Sequence, residues 1–169
     1  MLFTVTVKGN TPSEPGTEQG VLKVQTFNGN VSETSNTISS KFKITKTGTS
    51  SVSLADVTLR YYYTINGDKP QNFFADWSSI GPENVVASFK TLSNVKPGAD
   101  SYVEIGFKSG AGSLEPGQSV ELQTRISKAD WSNYTQTDDY SFDATATSLK
   151  DSTKVIAYLA GSKQWGIEP

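Results

Sequence analysis

The chain contains no cysteine and no histidine, and these two absences exclude several kinds of active site. Without cysteine there can be no disulfide bond, no thiolate nucleophile and no cysteine-ligated zinc. Without histidine there can be no Ser-His-Asp triad and no metal site built on imidazole. The chain also lacks an apolar run long enough to cross a membrane as a helix.

An excess of basic charge is missing as well, since 15 Lys and Arg residues stand against 17 Asp and Glu residues, for a net charge of −2. This balance favours neither nucleic acid nor an acidic membrane surface as a partner. Glycine and proline are well represented, at 14 and 7 residues, and Ser and Thr are abundant. Such a composition is typical of an all-β protein with many turns, and 169 residues suffice for one domain with a sizeable core.

The first twenty residues differ from the rest of the chain. Met1 to Lys8 lacks the basic lead and the long apolar run of a signal peptide, although we predict a short strand at Leu2 to Val7. Gly9 to Gly20 is rich in Gly, Pro, Thr and Glu and has nothing to bury, as in a flexible linker. We therefore expect a tail and linker at residues 1–20 and a folded module at residues 21–169. A linker beside a module implies a larger parent protein.

Short stretches of alternating apolar and polar residues recur along the module. We predict strands at residues 21–27, 41–45, 57–64, 71–76, 85–92, 101–107, 120–126, 140–144 and 155–159, with a polar loop at 28–40. The pair Asn66-Gly67 lies between two of these strands and is a strong signal for a β-hairpin. Many short strands separated by turns, without a helical period, indicate an antiparallel β-sandwich.

The stretch from Arg125 to Phe142 has the clearest functional character. It carries Trp131 among Ser, Asn, Thr and Gln residues, so we expect a loop in water that exposes an aromatic ring. Such a ring suits a sugar, which has apolar C–H faces and a rim of hydroxyl groups. The stretch also contains Asp138 and Asp139, adjacent acids without a basic neighbour. Together with nearby Thr oxygens, they suit a hard cation such as calcium.

The same stretch resembles a known family. Its residues Asp130-Trp131-Ser132-Asn133-Tyr134-Thr135-Gln136 and Asp138-Asp139-Tyr140-Ser141-Phe142 look like the family 3 carbohydrate-binding modules. Further motifs elsewhere in the chain match the family and occur in the same order as in its members: Leu59 to Thr64, Leu114 to Gly117, Ala157 to Leu159 and Trp165-Gly166. These modules are non-catalytic cellulose-binding domains of secreted cellulases and cellulosome scaffolds. The resemblance runs from about Val21 to the C-terminus. It implies a jelly-roll β-sandwich that attaches a larger extracellular protein to plant cell wall polysaccharide.

The resemblance also implies a planar strip that lies along a cellulose chain on the flat face of the crystal. The matching strip residues are Asp76, Trp77, Arg125 and Trp131, and those matching the anchors for neighbouring chains are Asn30, Asn36 and Gln123. Because Asp76 and Trp77 are adjacent, they share a face only at a bulge or a strand end. Two features of the family are missing, since Ala146 replaces an anchor hydroxyl and residues 78–86 lack a further aromatic. The alternative is that both Trp residues belong to the core.

Two more sites follow from the resemblance. The residues matching the family's calcium ligands are Thr64, Asn66, Thr135, Asp138 and Asp139, although many members have Asp in place of Asn66. The alternative for this set is a solvated acidic turn. The residues matching a shallow groove on the opposite face are Arg60, Tyr62, Tyr102, Glu104 and Tyr140. We expect Tyr62→Ala to stay folded. The alternative for this face is a packed polar surface with an Arg–Glu pair.

Three other functions remain to be weighed against cellulose binding. Catalysis by two carboxylates, for example Glu104 with an Asp, has no supporting motif. A module that assists an endoglucanase without binding crystals would lack much of the strip, whereas its four matching residues are all present here. A polysaccharide-sensing ectodomain of a membrane protein remains open, because the linker fits both scaffold and sensor parents. We expect a monomer, secreted or at the cell surface, whose partner is cellulose or a related β-1,4-glucan.

Overall fold

A computed structural model of the chain describes residues 20–169, so the predicted strand at 2–7 and most of the predicted linker lie outside the described residues. The described part contains fourteen β-strands and three short 3-10 turns. The strands are β1 (Leu22–Asn28), β2 (Thr34–Ser35), β3 (Thr37–Lys46), β4 (Val52–Ser53), β5 (Val57–Tyr63), β6 (Gln71–Ser78), β7 (Val85–Lys96), β8 (Ala99–Phe107), β9 (Ser113–Leu114), β10 (Ser119–Lys128), β11 (Tyr134–Thr135), β12 (Lys150–Asp151), β13 (Val155–Leu159) and β14 (Ser162–Trp165). Between residues 20 and 169, no helix is long and apolar enough to cross a membrane.

The strands form two five-stranded antiparallel sheets. The first has the order β12-β1-β3-β10-β6 and the second β14-β13-β5-β8-β7. Two small ladders, β2 with β11 and β4 with β9, complete the pairing. The predicted β-sandwich is confirmed, and most neighbouring strands are distant in sequence, as in a jelly roll.

The core lies between the two sheets and follows from the alternation of the strands. On β1, β3 and β10, every second side chain is buried, and the residues between them, apart from the buried Ser127, form the outer face of the first sheet. The predicted core face of β5 is confirmed, with Val57, Leu59, Tyr61 and Tyr63 all buried. A buried ring such as Phe42, at 2% exposure, contributes about 1.5–3 kcal/mol by leaving water.

The predicted hairpin at Asn66-Gly67 is wrong. The strand before it, β5, belongs to the second sheet, and the strand after it, β6, belongs to the first. The two residues still have the positive φ angles expected of such a turn, 54° for Asn66 and 125° for Gly67. The Asn66-Gly67 turn therefore lies in a connection from the second sheet to the first, where β6 pairs with β10.

Two other predicted segments differ from the structure. Residues 140–144 form turns rather than a strand, because beside β5 the Ser141 hydroxyl takes the place that a backbone carbonyl would have in a strand ladder. The Ser141 hydroxyl accepts a hydrogen bond from Tyr62 N at 2.8 Å and donates one to Lys154 O at 2.6 Å. The predicted loop at 28–40 contains β2 and the first residues of β3, where Ile38 is buried opposite Ile126.

Candidate functional site

A β-bulge brings Asp76 and Trp77 to the same face of the first sheet. Opposite β10, Ala75 pairs with Thr124 and Trp77 pairs with Gln123, so Asp76 is the extra residue. Ala75 packs against the core, whereas Asp76 and Trp77 are both exposed. This is the irregularity that a shared outward face requires of two adjacent residues.

An ion pair and two rings form a continuous array beside this bulge. The Arg125 guanidinium donates two hydrogen bonds to the Asp76 carboxylate, from Nε to Oδ2 at 2.6 Å and from Nη2 to Oδ1 at 2.9 Å. Its central carbon lies 4.8 Å from the centre of the Phe74 ring. The Phe74 ring in turn stacks on Trp131, with centroids 6.4 Å apart and planes at 16°. We call Phe74, Asp76, Trp77, Arg125 and Trp131 the strip.

Both tryptophans of the strip are in contact with solvent. Trp131 is 48% exposed and Trp77 is 43% exposed, so the alternative that they belong to the core is wrong. The hydrogen bonds from Arg125 to Asp76 raise the pKa of the guanidinium, which stays charged at any ordinary pH. The surface therefore presents apolar ring faces together with a planar ion pair whose charges cancel.

Phe74 was not among the predicted site residues. It lies directly opposite Arg125 on β6, and it supports both the guanidinium and the Trp131 ring. Its neighbour Phe73 packs against the core. The signal in the sequence was the pair of adjacent aromatic residues, since alternation allows only one of them to face inward.

The loop that carries Trp131 is a tight turn held by its own side chains. Trp131 has a φ angle of 58°, and its backbone N–H donates to Lys128 O at 3.0 Å. The Asp130 carboxylate accepts hydrogen bonds from the Ser132 backbone at 3.1 Å and from its hydroxyl at 2.6 Å. These bonds lower the pKa of Asp130 and hold the turn that carries Trp131.

A buried ammonium group lies beneath this loop. Lys128 is fully buried, and its Nζ donates to the carbonyl oxygens of Asn66 at 2.8 Å and Asn133 at 2.9 Å. It also lies 4.8 Å from the centre of the Tyr134 ring. Burial lowers the pKa of this lysine. Lys128 was not among the predicted site residues, although strand alternation places it on the same inward face of β10 as residues 124 and 126.

The predicted anchor residues differ in whether their side chains are exposed or already hydrogen-bonded within the protein. Gln123 faces outward between Lys41 and Trp77, which are its partners on the two neighbouring strands. Asn30 uses its side chain within its own loop, donating to Ser35 Oγ at 3.0 Å and accepting from the Ser32 N–H at 2.9 Å. Asn36 is exposed, whereas Ala146, at the position of the missing anchor hydroxyl, is fully buried.

The predicted cation ligands gather around one buried carboxylate. Asp139 is 4% exposed, and its Oδ1 accepts hydrogen bonds from the backbone N–H and the hydroxyl of Thr64, both at 2.8 Å. Its Oδ2 is buried without a hydrogen-bond partner among the described residues. Asn66 Oδ1 lies 3.5 Å from the Thr64 hydroxyl and accepts from the Thr135 N–H at 2.8 Å. Asp138 is exposed and adjacent in the chain.

Burial raises the pKa of Asp139 to about 7, and the Thr64 hydrogen bonds oppose this shift only in part. A carboxylate oxygen that is buried without a partner is costly, so a bound cation would relieve it. Every donor in the set is an oxygen, which fits calcium. In the part of the chain that the structure covers, no three acidic side chains gather to hold a metal ion, so the set combines two carboxylates with neutral oxygens.

The predicted groove residues do come together on the outer face of the second sheet. Arg60 Nε lies 2.9 Å from Glu104 Oε2, as the alternative of an Arg–Glu pair predicts. The guanidinium carbon lies 4.7 Å from the centre of the Tyr102 ring and 4.5 Å from that of Tyr158. Tyr140 is half-buried at the edge of this group.

The prediction that Tyr62 lines an open groove is wrong. Tyr62 is only 3% exposed, and it packs with Ala99, Ile156 and Tyr158 in a second apolar cluster. Its ring also contacts those of Tyr102 and Tyr140, at centroid distances of 5.1 and 6.2 Å. Strand parity had placed it outward correctly, but it did not show that other side chains would cover it.

Comparison with known proteins identifies the family. Residues 23–166 match the family 3 model described as a cellulose binding domain. The chain belongs to this family. A xyloglucanase from a Paenibacillus species is 49% identical over 167 residues, which are 99% of the module's chain and 16% of the xyloglucanase. The module therefore corresponds to a small part of that protein.

Solved structures agree with this assignment. A biomass sensing module from RsgI-like proteins of Clostridium thermocellum has a TM-score of 0.87 and 43% identity, covering 89% of this chain and 100% of that one. A module of the major scaffoldin subunit ScaA from Acetivibrio cellulolyticus has a TM-score of 0.86 and 48% identity, covering 88% and 97%. The chain is thus a non-catalytic, cellulose-binding carbohydrate-binding module, and modules of its kind occur within larger proteins.

Proposed function

We propose that the module binds the flat face of crystalline cellulose through the strip. The observation that carries this proposal is the continuous array of Asp76, Arg125, Phe74 and Trp131 on the exposed face of the first sheet. The apolar faces of sugar rings stack on the aromatic rings. The ion pair between Arg125 and Asp76 continues the plane and offers its remaining donors and acceptors to hydroxyl groups.

The placement of these groups on one face of the first sheet supports a crystal rather than a single flexible chain as the partner. An array with its groups on one face can contact many sugar rings of one lattice surface at once. Gln123 faces outward beside the strip, where it would reach a neighbouring cellulose chain. Asn36 is exposed and is proposed for the same role. Asn30 would act mainly by holding the loop that leads to Asn36, given its hydrogen bonds to Ser35 and Ser32.

A pull-down on microcrystalline cellulose tests this proposal. Trp131→Ala should weaken binding by about 1–3 kcal/mol, by analogy with bases that stack on aromatic rings. The melting temperature should change little, because the ring is half exposed. Tyr102→Ala on the second sheet is the control, and it should bind cellulose as the unmodified module does. If Tyr102→Ala abolishes the pull-down while Trp131→Ala retains it, the wrong face has been chosen.

We also propose that calcium binds at Thr64, Asn66, Thr135, Asp138 and Asp139. The unpartnered Oδ2 of Asp139 supports this site, and the ion would join the turn after β5 to the segment after β11. A ligand that binds only the folded state raises stability by mass action. A chelator should therefore lower the melting temperature, added calcium should restore it, and magnesium should be a poor substitute. Identical melting curves with and without chelator would count against the site.

The role in a parent protein is a further part of the proposal. We infer that the module attaches a larger secreted or cell-surface protein to plant cell wall polysaccharide as a tethered monomer. The similarity to a scaffoldin module supports attachment, and the similarity to a biomass sensing module keeps polysaccharide sensing as a second candidate. The domains encoded beside this chain decide between them, since a sensor requires a membrane-spanning segment and a scaffold requires docking domains. Sedimentation of the isolated module tests the monomer.

A further inference from the structure

A hollow of about 370 Å³ lies next to the strip on the outer face of the first sheet. Strand register explains its position. Phe27 pairs with Lys41, Lys41 with Gln123, and Gln123 with Trp77, so these four side chains form a row across β1, β3, β10 and β6. Leu149, which comes just before β12, lies at the far end of the hollow. Trp77 belongs both to this row and to the strip, so the two meet at its ring.

The walls of the hollow combine apolar surface with hydrogen-bonding groups. Trp77 and Leu149 are 43% and 38% exposed, and Phe27 is half-buried. The ammonium of Lys41 lies 4.9 Å from the centre of the Phe27 ring. Glu121, the amide of Gln123 and the buried residues Phe42 and Leu122 complete the lining. Apolar walls with a few polar groups are typical of small-ligand sites, and the opposite charges of Lys41 and Glu121 favour a neutral ligand.

A flat cellulose surface that rests on the strip would bridge this hollow without filling it. A group that fills the hollow while its chain lies on the strip must therefore project out of the plane of the glucan backbone. From this geometry we propose that the hollow receives a neutral sugar branch carried by a β-1,4-glucan chain that lies on the strip. The proposal rests on the proposed function of the strip, and it adds a preference for branched over unbranched chains in solution. Trp77 would contact both the backbone and the branch.

Calorimetry with two soluble oligosaccharides tests this proposal. The probes are cellotetraose and the same four-glucose backbone carrying xylosyl branches. We expect the branched probe to bind at least about tenfold more tightly, which corresponds to one additional stacked ring. Phe27→Ala and, as a milder change at an exposed position, Leu149→Ser should reduce this preference to about twofold or less. Val86→Ser is the matched control, because Val86 is 41% exposed on the second sheet, and it should keep the preference.

The outcomes separate this proposal from that of the strip. Equal affinity for the two probes, or a preference that persists in both hollow variants, would overturn the sugar-branch proposal while leaving crystal binding untouched. Loss of microcrystalline cellulose binding in Leu149→Ser would also overturn it, because the hollow would then serve the flat surface. A branched-chain preference in a module that does not bind crystals would refute the strip proposal alone. We expect Leu149→Ser to lose the preference for the branched probe and to keep its binding to microcrystalline cellulose.

Discussion

Replacing Phe74 with leucine tests whether the strip depends on a flat ring beneath its exposed groups. Leucine keeps an apolar side chain of similar size but removes the aromatic face. That face stacks on Trp131 at 6.4 Å and lies 4.8 Å from the Arg125 guanidinium. An aromatic pair contributes about 0.5–1.5 kcal/mol, and an exposed cation–π contact contributes about 0.5–1 kcal/mol.

The expected loss in cellulose affinity follows from these two contacts. Both are partly exposed, so their combined contribution lies near the lower limits, at about 1–1.5 kcal/mol. Part of this energy holds the side chains in place and the rest appears in binding. We expect about 1 kcal/mol, or roughly fivefold weaker adsorption on microcrystalline cellulose. The variant Phe74→Leu/Trp131→Ala should lose less than the sum of the single losses, because the two rings act together.

Phe73 provides a matched control for this experiment. It is the same residue type in the same strand, but it packs against the core. Phe73→Leu should lower the melting temperature and leave adsorption unchanged. Phe74→Leu should weaken adsorption and leave the melting temperature almost unchanged. Adsorption isotherms and melting curves on the unmodified module, Phe74→Leu, Trp131→Ala, the double variant and Phe73→Leu measure both effects. If Phe74→Leu adsorbs like the unmodified module, or if the double variant shows strictly additive losses, the continuous array is not the binding element.

Two further predictions concern stability. Tyr62→Ala should lower the free energy of unfolding by about 3–5 kcal/mol, measured by denaturant titration, because the ring is 3% exposed among apolar neighbours; an unchanged midpoint would contradict this packing. The hydroxyl of Thr145, with help from Lys150, lowers the pKa of Asp143 to about 2. Its stabilising contribution should therefore be complete above about pH 4 and be lost as the pH falls through 2. Asp143→Asn should match the parent near pH 2 and be less stable at pH 5, and equal stability of the two proteins at pH 5 would refute the assignment.

The parts of the fold that local patterns predicted are those that depend on a single strand. Alternation was sufficient to place Leu59 and Tyr61 in the core, because facing inward is a property of each strand by itself. The partners of a strand depend on residues far away in the chain. For this reason Asn66-Gly67 predicted a hairpin where the structure has a crossing between sheets. Local chemistry specifies the shape of a turn but not the sheet that receives the next strand.

In the candidate site, too, properties of a single segment could be predicted from the sequence, whereas contacts between distant segments could not. The exposure of Trp131 could be predicted, because its loop is rich in hydrogen-bonding residues that belong in water. The support from Phe74 and the buried ammonium of Lys128 depends on contacts between β6, β10 and neighbouring loops. Tyr62 was misjudged because its burial is due to Ile156 and Tyr158, about 95 residues further along the chain. The side chains that cover a residue such as Tyr62 are known only once the strands have been arranged into sheets.

The bulge at Asp76 has a consequence for protein design. In a regular strand, adjacent side chains point to opposite faces, so copying Asp76 and Trp77 onto an idealised sheet would send one of them into the core. A carboxylate there would lose its hydration, and a tryptophan there would overfill the packing. A designer who wishes to transplant this surface must therefore move the extra residue together with the paired backbone of Gln123 and Thr124. The transferable unit is an irregular piece of backbone with its side chains attached.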